Sequence, residues 1–147
     1  VDRHAILNLH PALPGGPAGT WREVIRQLIR GGARESGAMI HLAIPQVDAG
    51  PVAACCRYPI RGGEFDALWD DLDTARADDA TIDGSALAAR IRAAQMTMEA
   101  PLLVSALQAF ADGRMRATTG RIIDASGLDA PPLDLTADVQ ARLARGM

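Results

Sequence analysis

Residues 5–21 read Ala5-Ile6-Leu7-Asn8-Leu9-His10-Pro11-Ala12-Leu13-Pro14-Gly15-Gly16-Pro17-Ala18-Gly19-Thr20-Trp21, and the order of residue types in them decides the fold class. The run from Ala5 to His10 reads as a strand, which Pro11 closes by withholding a backbone donor. Pro14 to Gly19 is a loop, because its glycines and prolines suit no regular element. Thr20 then caps a helix with Trp21, Val24, Ile25, Leu28 and Ile29 at helical spacing, stopped by Gly31-Gly32. A strand that passes through a Gly/Pro loop into an amphipathic helix is the start of an α/β unit.

Outward from this stretch the elements remain mixed. Strands are expected from Ala38 to Ile44, ended by Pro45, and from Val52 to Tyr58, with Gln46 to Pro51 as the turn between them. A helix from Phe65 to Leu72 precedes a polar acidic stretch around Asp78-Asp79. A long helix covers Ser85 to Ala111, interrupted or kinked near Pro101, and stops at Asp112-Gly113. Arg114 to Ile123 suggests a short strand pair turning at Thr118-Thr119-Gly120, and Pro131-Pro132 lead to a last helix capped by Thr136. The predicted organisation is a main region, 1–124, and a C-terminal tail with a short helix, 125–147.

Composition narrows the function classes. Hydrophobic residues make up 48% and charged residues 22% of the 147, as in ordinary globular proteins. A formal charge of −3 supplies no attraction for nucleic acid or an anionic membrane, and neither is an expected partner. No apolar run approaches the roughly 20 residues of a bilayer span, and no leader pattern opens the chain. All 15 basic residues are Arg, which rules out a lysine Schiff base or a P-loop lysine within these residues. Cys55 and Cys56 are adjacent in an apolar stretch with no metal-ligand spacing around them. They are expected to be buried and reduced, which suits the cytoplasm, and no metal site is predicted.

Chemistry concentrates in few places. Asn8 and His10, one residue apart on a strand, share a face at its C-terminal end, where α/β sheets bind ligands. An amide and an imidazole there would stabilise charge developing on a carbonyl oxygen. A half-exposed strand with polar residues outward and Leu7 and Leu9 inward has the same spacing. Asp48 sits in a turn, where Asp is common for local hydrogen bonding. It would alternatively orient His10 and favour its imidazolium form. His41 reads as a satisfied core histidine, and Arg22, Arg26 and Arg30 as a solvated helix face. The residues alone leave these readings open.

Three motifs in order carry a resemblance. Asn8-Leu9-His10-Pro11-Ala12-Leu13-Pro14 resembles the N-x-H-P-S-L-L-P signature of folate-dependent formyltransferases, with Ala12 in the serine position. His41, followed seven residues later by Asp48 within Val47-Asp48-Ala49-Gly50-Pro51-Val52, looks like the family's H-x6-D segment and its D-x-G-P-I/V ending. Phe110-Ala111-Asp112-Gly113-Arg114 matches the F-A-D-G-R stretch after the long helix in the glycinamide ribonucleotide branch.

The resemblance implies a formyltransferase-like, Rossmann-type α/β fold, with a preceding nucleotide-binding half that these 147 residues lack. That half, or a second copy of the chain, is then an expected partner. It implies 10-formyltetrahydrofolate as formyl donor and a primary amine as acceptor, with glycinamide ribonucleotide of purine biosynthesis the leading candidate. Asn8, His10 and Asp48 would be catalytic. His41 and the loop Ile44, Pro45, Gln46, Val47 and Asp48 would hold the folate. Relatives acting on a sugar nucleotide or on water, and a folate-binding domain without catalysis, remain alternatives.

Overall fold

In the computed structural model, which describes residues 4–146, the apolar run before Pro11 becomes strand β1 (Leu7–His10). Helix α1 (Trp21–Arg30) follows the Gly/Pro loop. Thr20 caps it through a reciprocal capping box: its side chain accepts from the Glu23 N–H, and the Glu23 carboxylate accepts from the Thr20 N–H. Val24, Ile25 and Ile29 are its buried residues, as the spacing predicts.

Strands β2 (Glu35–Leu42) and β3 (Val52–Pro59) come next. β2 begins and ends earlier than the expected Ala38 to Ile44, because Ala43 leaves the strand and extends the ladder to Ile6 by one backbone bond. Helix α2 (Glu64–Asp70) matches expectation within two residues. The polar stretch at Asp78-Asp79 is in fact a short helix, α3 (Asp79–Asp83). Asp78 caps it by accepting from the Thr81 N–H, and Ile82 anchors it in the core.

Helix α4 (Ala86–Ala111) runs 26 residues from a Ser85 cap and is not interrupted at Pro101. Pro101, Leu102, Ser105 and Ala106 are all buried, so tertiary packing holds the helix through the missing N–H. Strands β4 (Met115–Thr118) and β5 (Arg121–Asp124) form the expected antiparallel hairpin. Strand β6 (Leu133–Asp134), too short to read from sequence, precedes helix α5 (Thr136–Ala144). Thr136 is the first residue of α5 and not its cap: its N–H donates to the Asp134 carboxylate, and its hydroxyl accepts from the Arg57 N–H.

The larger sheet has the order β1-β2-β3-β6, with antiparallel pairs except for the parallel β3–β6. β1 lies at its edge. One core joins β2 and β3 to α4, the hairpin and α5 through Ile40, Leu42, Ala54, Leu102, Met115, Leu135 and Val139. A second joins α1, α2, α3 and α4 through Ile25, Ile29, Ile60, Trp69, Ile82 and Ile91. Residues 125–146 therefore contribute β6 and α5 to the main sheet and its core. Among the described residues, no helix is long and apolar enough to cross a membrane.

Candidate active site

Register brings the polar residues of β1 and β2 together. Asn8 lies opposite His41 and His10 opposite Met39, so these four share one face of the sheet. Leu7, Leu9, Ile40 and Leu42 take the other face, against the core. A β-bulge follows in the β2–β3 pair: Ile40 faces Ala54 while His41 faces Val52, leaving Ala53 without a partner.

The turn after β2 supplies the acid. Asp48 has φ of 52°, a left-handed conformation that Asp tolerates better than most residues. Two residues on, a Cβ at Gly50 would lie 1.7 Å from the Leu42 carbonyl oxygen, so glycine alone fits this close crossing. The turn places Asp48 Oδ2 3.4 Å from His10 Nδ1 and Asp48 Oδ1 3.6 Å from His41 Nε2. The Gly19 N–H, from the Gly/Pro loop, also donates to Asp48 Oδ2 at 3.2 Å.

Partners define the protonation pattern. His10 is 3% exposed, and its Nε2–H donates to the Pro17 carbonyl at 2.9 Å while Nδ1 faces the Asp48 carboxylate. Both ring nitrogens therefore face acceptors. His41, 2% exposed, donates from Nδ1–H to the Leu42 carbonyl at 3.0 Å, and its Nε2 accepts from Asn8 Nδ2–H at 3.1 Å. That contact orients the Asn8 amide and leaves its second hydrogen for another acceptor. Asn8 itself is exposed. The site thus offers an amide donor, an imidazole and a carboxylate in contact. This set suits stabilising an oxyanion and moving a proton.

Ile44, Gln46, Val47 and Asp48 line a cleft of about 160 Å³ with Asn8, His41 and Ala43. Pro45 instead faces an adjacent cleft of about 170 Å³ that reaches Thr119 and Gly120 of the hairpin tip. Val47 is 76% exposed. The cysteines on β3 are not nucleophiles: burial pushes the Cys55 thiol up, and the Cys56 thiol to about 11. Among the described residues, no group of three or more His, Cys, Asp and Glu is placed to hold a metal ion.

Sequence reasoning missed three contributors. The Pro17 carbonyl and the Gly19 N–H act through backbone, which no residue type advertises. Gln95 of α4 was also missed. It is fully buried, and its Nε2–H donates to the Pro11 carbonyl at 3.1 Å. Its signal was present: Gln95 continues the apolar line of Leu87, Ala88 and Ile91 along the helix, where a polar side chain needs a partner.

The mixed sheet and its covering helices define an α/β domain with an Asn/His/Asp cluster at the end of β1. Residues 2–66 match the family described as Formyl transferase. Two of the three motifs behind the resemblance, at residues 8–14 and 41–52, fall within that stretch, and the third, at 110–114, lies outside it. The chain is similar to phosphoribosylglycinamide formyltransferase from Anaplasma phagocytophilum, with TM-score 0.51 and 21% identity over 90% of this chain and 53% of that one. It is similar to the corresponding enzyme from Coxiella burnetii, with TM-score 0.51 and 19% identity over 85% and 47%. It is also similar to a formyltetrahydrofolate deformylase from Pseudomonas syringae pv. tomato, with TM-score 0.51 and 16% identity over 80% and 32%. The chain spans about half the length of the first two structures. No curated protein matches it.

Proposed function

We propose that the site transfers the formyl group of 10-formyltetrahydrofolate to a primary amine, with glycinamide ribonucleotide the acceptor. The observation that carries this reading is the convergence of His10 and His41 on the Asp48 carboxylate, with Asn8 exposed beside them. The cleft formed by Ile44, Gln46 and Val47 suits the flat head of the folate, since apolar side chains sit beside free loop backbone next to Asp48.

In this reading the amine nitrogen attacks the formyl carbon, and the carbonyl electrons move to oxygen. That oxygen accepts from the free Asn8 amide hydrogen and from His10 Nε2–H, taking the place of the Pro17 carbonyl. An oxyanion is the stronger acceptor, and the loop that carries Pro17 has glycines on both sides. Asp48 orients His10 and, through water, takes the proton from the attacking amine and returns it to the departing folate nitrogen. The carbon–nitrogen bond to the folate breaks, giving a formamide and tetrahydrofolate.

The test is calorimetric titration of this chain with a non-reactive 10-formyltetrahydrofolate analogue, with Asp48→Ala as control. Saturable binding lost in the variant supports the reading. No binding by this chain or by its longest native reading frame would overturn it. With 10-formyltetrahydrofolate itself in place of the analogue, formate release without added amine would transfer the reading to water as acceptor.

A further inference from the structure

The loop between β1 and α1 delivers two backbone groups to the site, the Pro17 carbonyl on His10 and the Gly19 N–H on Asp48. Besides these two, its middle is held by the Gly16 N–H on the Leu13 carbonyl and by a long bond from Gln27 to the Ala18 carbonyl. Gly15 and Gly19 have φ of 74° and 106°, and Gly15, Gly16 and Ala18 are exposed. Its two ends are different, and both are held by the same stretch of α4. At the Pro11 end, the buried Gln95 donates to the carbonyl that directly follows His10. At the Trp21 end, the Arg92 guanidinium lies 5.0 Å from the indole centroid. Arg92 also donates to Gln95 Oε1 at 3.4 Å and to Glu99 at 2.7 Å, so the two holds are themselves connected.

A fully buried amide in an apolar helix face is costly unless its bonds are made. The bond Gln95 makes is to the backbone that fixes the end of the catalytic strand. We propose that Gln95 is a positioning residue: by holding the Pro11 carbonyl it fixes the loop's origin, so that the Gly-rich middle presents Pro17 and Gly19 to His10 and Asp48. Its catalytic meaning rests on the formyl-transfer reading. The geometry it predicts does not. With the ends fixed, only the middle gives way when a substrate oxygen replaces the Pro17 carbonyl.

The test uses Gln95→Glu and Gln95→Met, which keep the length of the side chain and remove the donor at neutral pH. The readout is nuclear magnetic resonance of the imidazole N–H signals of the full chain, which has three histidines. His10 Nε2–H should exchange with solvent about tenfold faster in both variants, the equivalent of one lost hydrogen bond. His41 Nδ1–H, bonded to the Leu42 carbonyl of its own strand and not to the loop, should change far less and serves as the internal reference. Unchanged exchange at His10 in a folded variant overturns the proposal, as does equal loss at His10 and His41, which signals general loosening. If neither variant folds, Arg92→Leu, which releases the Trp21 end, decides by the same two signals. Failure of the formyl-transfer reading would appear separately, as absent binding of the folate analogue by the unaltered protein.

Discussion

Asp48 stands between two imidazoles whose other partners differ, and that difference assigns their roles. His10 faces acceptors on both nitrogens, whereas His41 accepts from Asn8 and donates to Leu42. Changing either member of the His10–Asp48 pair should therefore act on the transition state rather than on folding. His10→Asn and Asp48→Asn, made in the longest native reading frame, should each lower formyl transfer by roughly 10²–10³-fold, the usual worth of one oxyanion donor. Steady-state kinetics with matched thermal melts checks this, and activity surviving both changes together would remove the mechanism. Gly50 acts on the same pair through backbone. In Gly50→Ala the new Cβ meets the Leu42 carbonyl, the acceptor for His41 Nδ1–H, so the Asp48 turn must shift. A loss of about 3 kcal/mol in denaturant unfolding is expected, by the usual cost of overpacking, together with loss of folate-analogue binding.

Element by element, what was readable followed from the physics of each segment. α1 announced itself because capping, apolar spacing and terminal glycines all agree over residues 20–32. Thr20→Ala removes the side-chain cap on the Glu23 N–H and the hydroxyl's bond to the Glu23 carboxylate, leaves the reciprocal bond from the Thr20 backbone N–H, and should lower stability by about 1 kcal/mol in denaturant melts. The hairpin at Thr118-Thr119-Gly120 was legible for a similar reason, since Gly120 supplies the φ of 80° that the turn needs. α3 and β6 were not legible. Five residues and two residues are too few for any period, and both exist because Ile82 and Leu133 pack against elements distant in sequence. The candidate site divides the same way. Asn8, His10 and Asp48 stand in motifs, but the Asn8–His41 contact depends on β1–β2 register, which no local pattern encodes. Gln95 lies 84 residues from the Pro11 carbonyl it holds, and only the packing of α4 on the sheet brings the two together.

At the scale of the whole molecule, stability should fall at both ends of the pH range for separate reasons. On the acid side, six surface carboxylates are held below their ordinary range by the groups that bind them: Glu23 by Thr20, Glu64 by Arg90, Asp78 by Thr81, Asp83 by Arg26, Asp124 by Ser126 and Asp134 by Thr136. Each favours the folded state above its unfolded value, 4.5 for Glu and 3.8 for Asp, and that contribution disappears as pH falls through the lower folded value. The melting temperature should hold down to about pH 5 and then decline. The alkaline side is simpler, because the chain has no lysine and a single tyrosine. Burial raises Cys55, Cys56 and Tyr58, all on β3, and Cys56 moves from 9.0 to about 11. An acid whose folded value is raised stays protonated in the native state while the unfolded chain ionises. Stability is therefore complete below pH 9 and declines as pH rises from there towards 11. Two units correspond to about 3 kcal/mol for a buried thiol. Denaturant melts from pH 8 to 11 on the unaltered chain and on Cys56→Ala measure the share of that residue. The variant, although less stable at pH 8 for lost packing, should decline less steeply. Parallel declines would place the alkaline limb on Cys55 and Tyr58 instead.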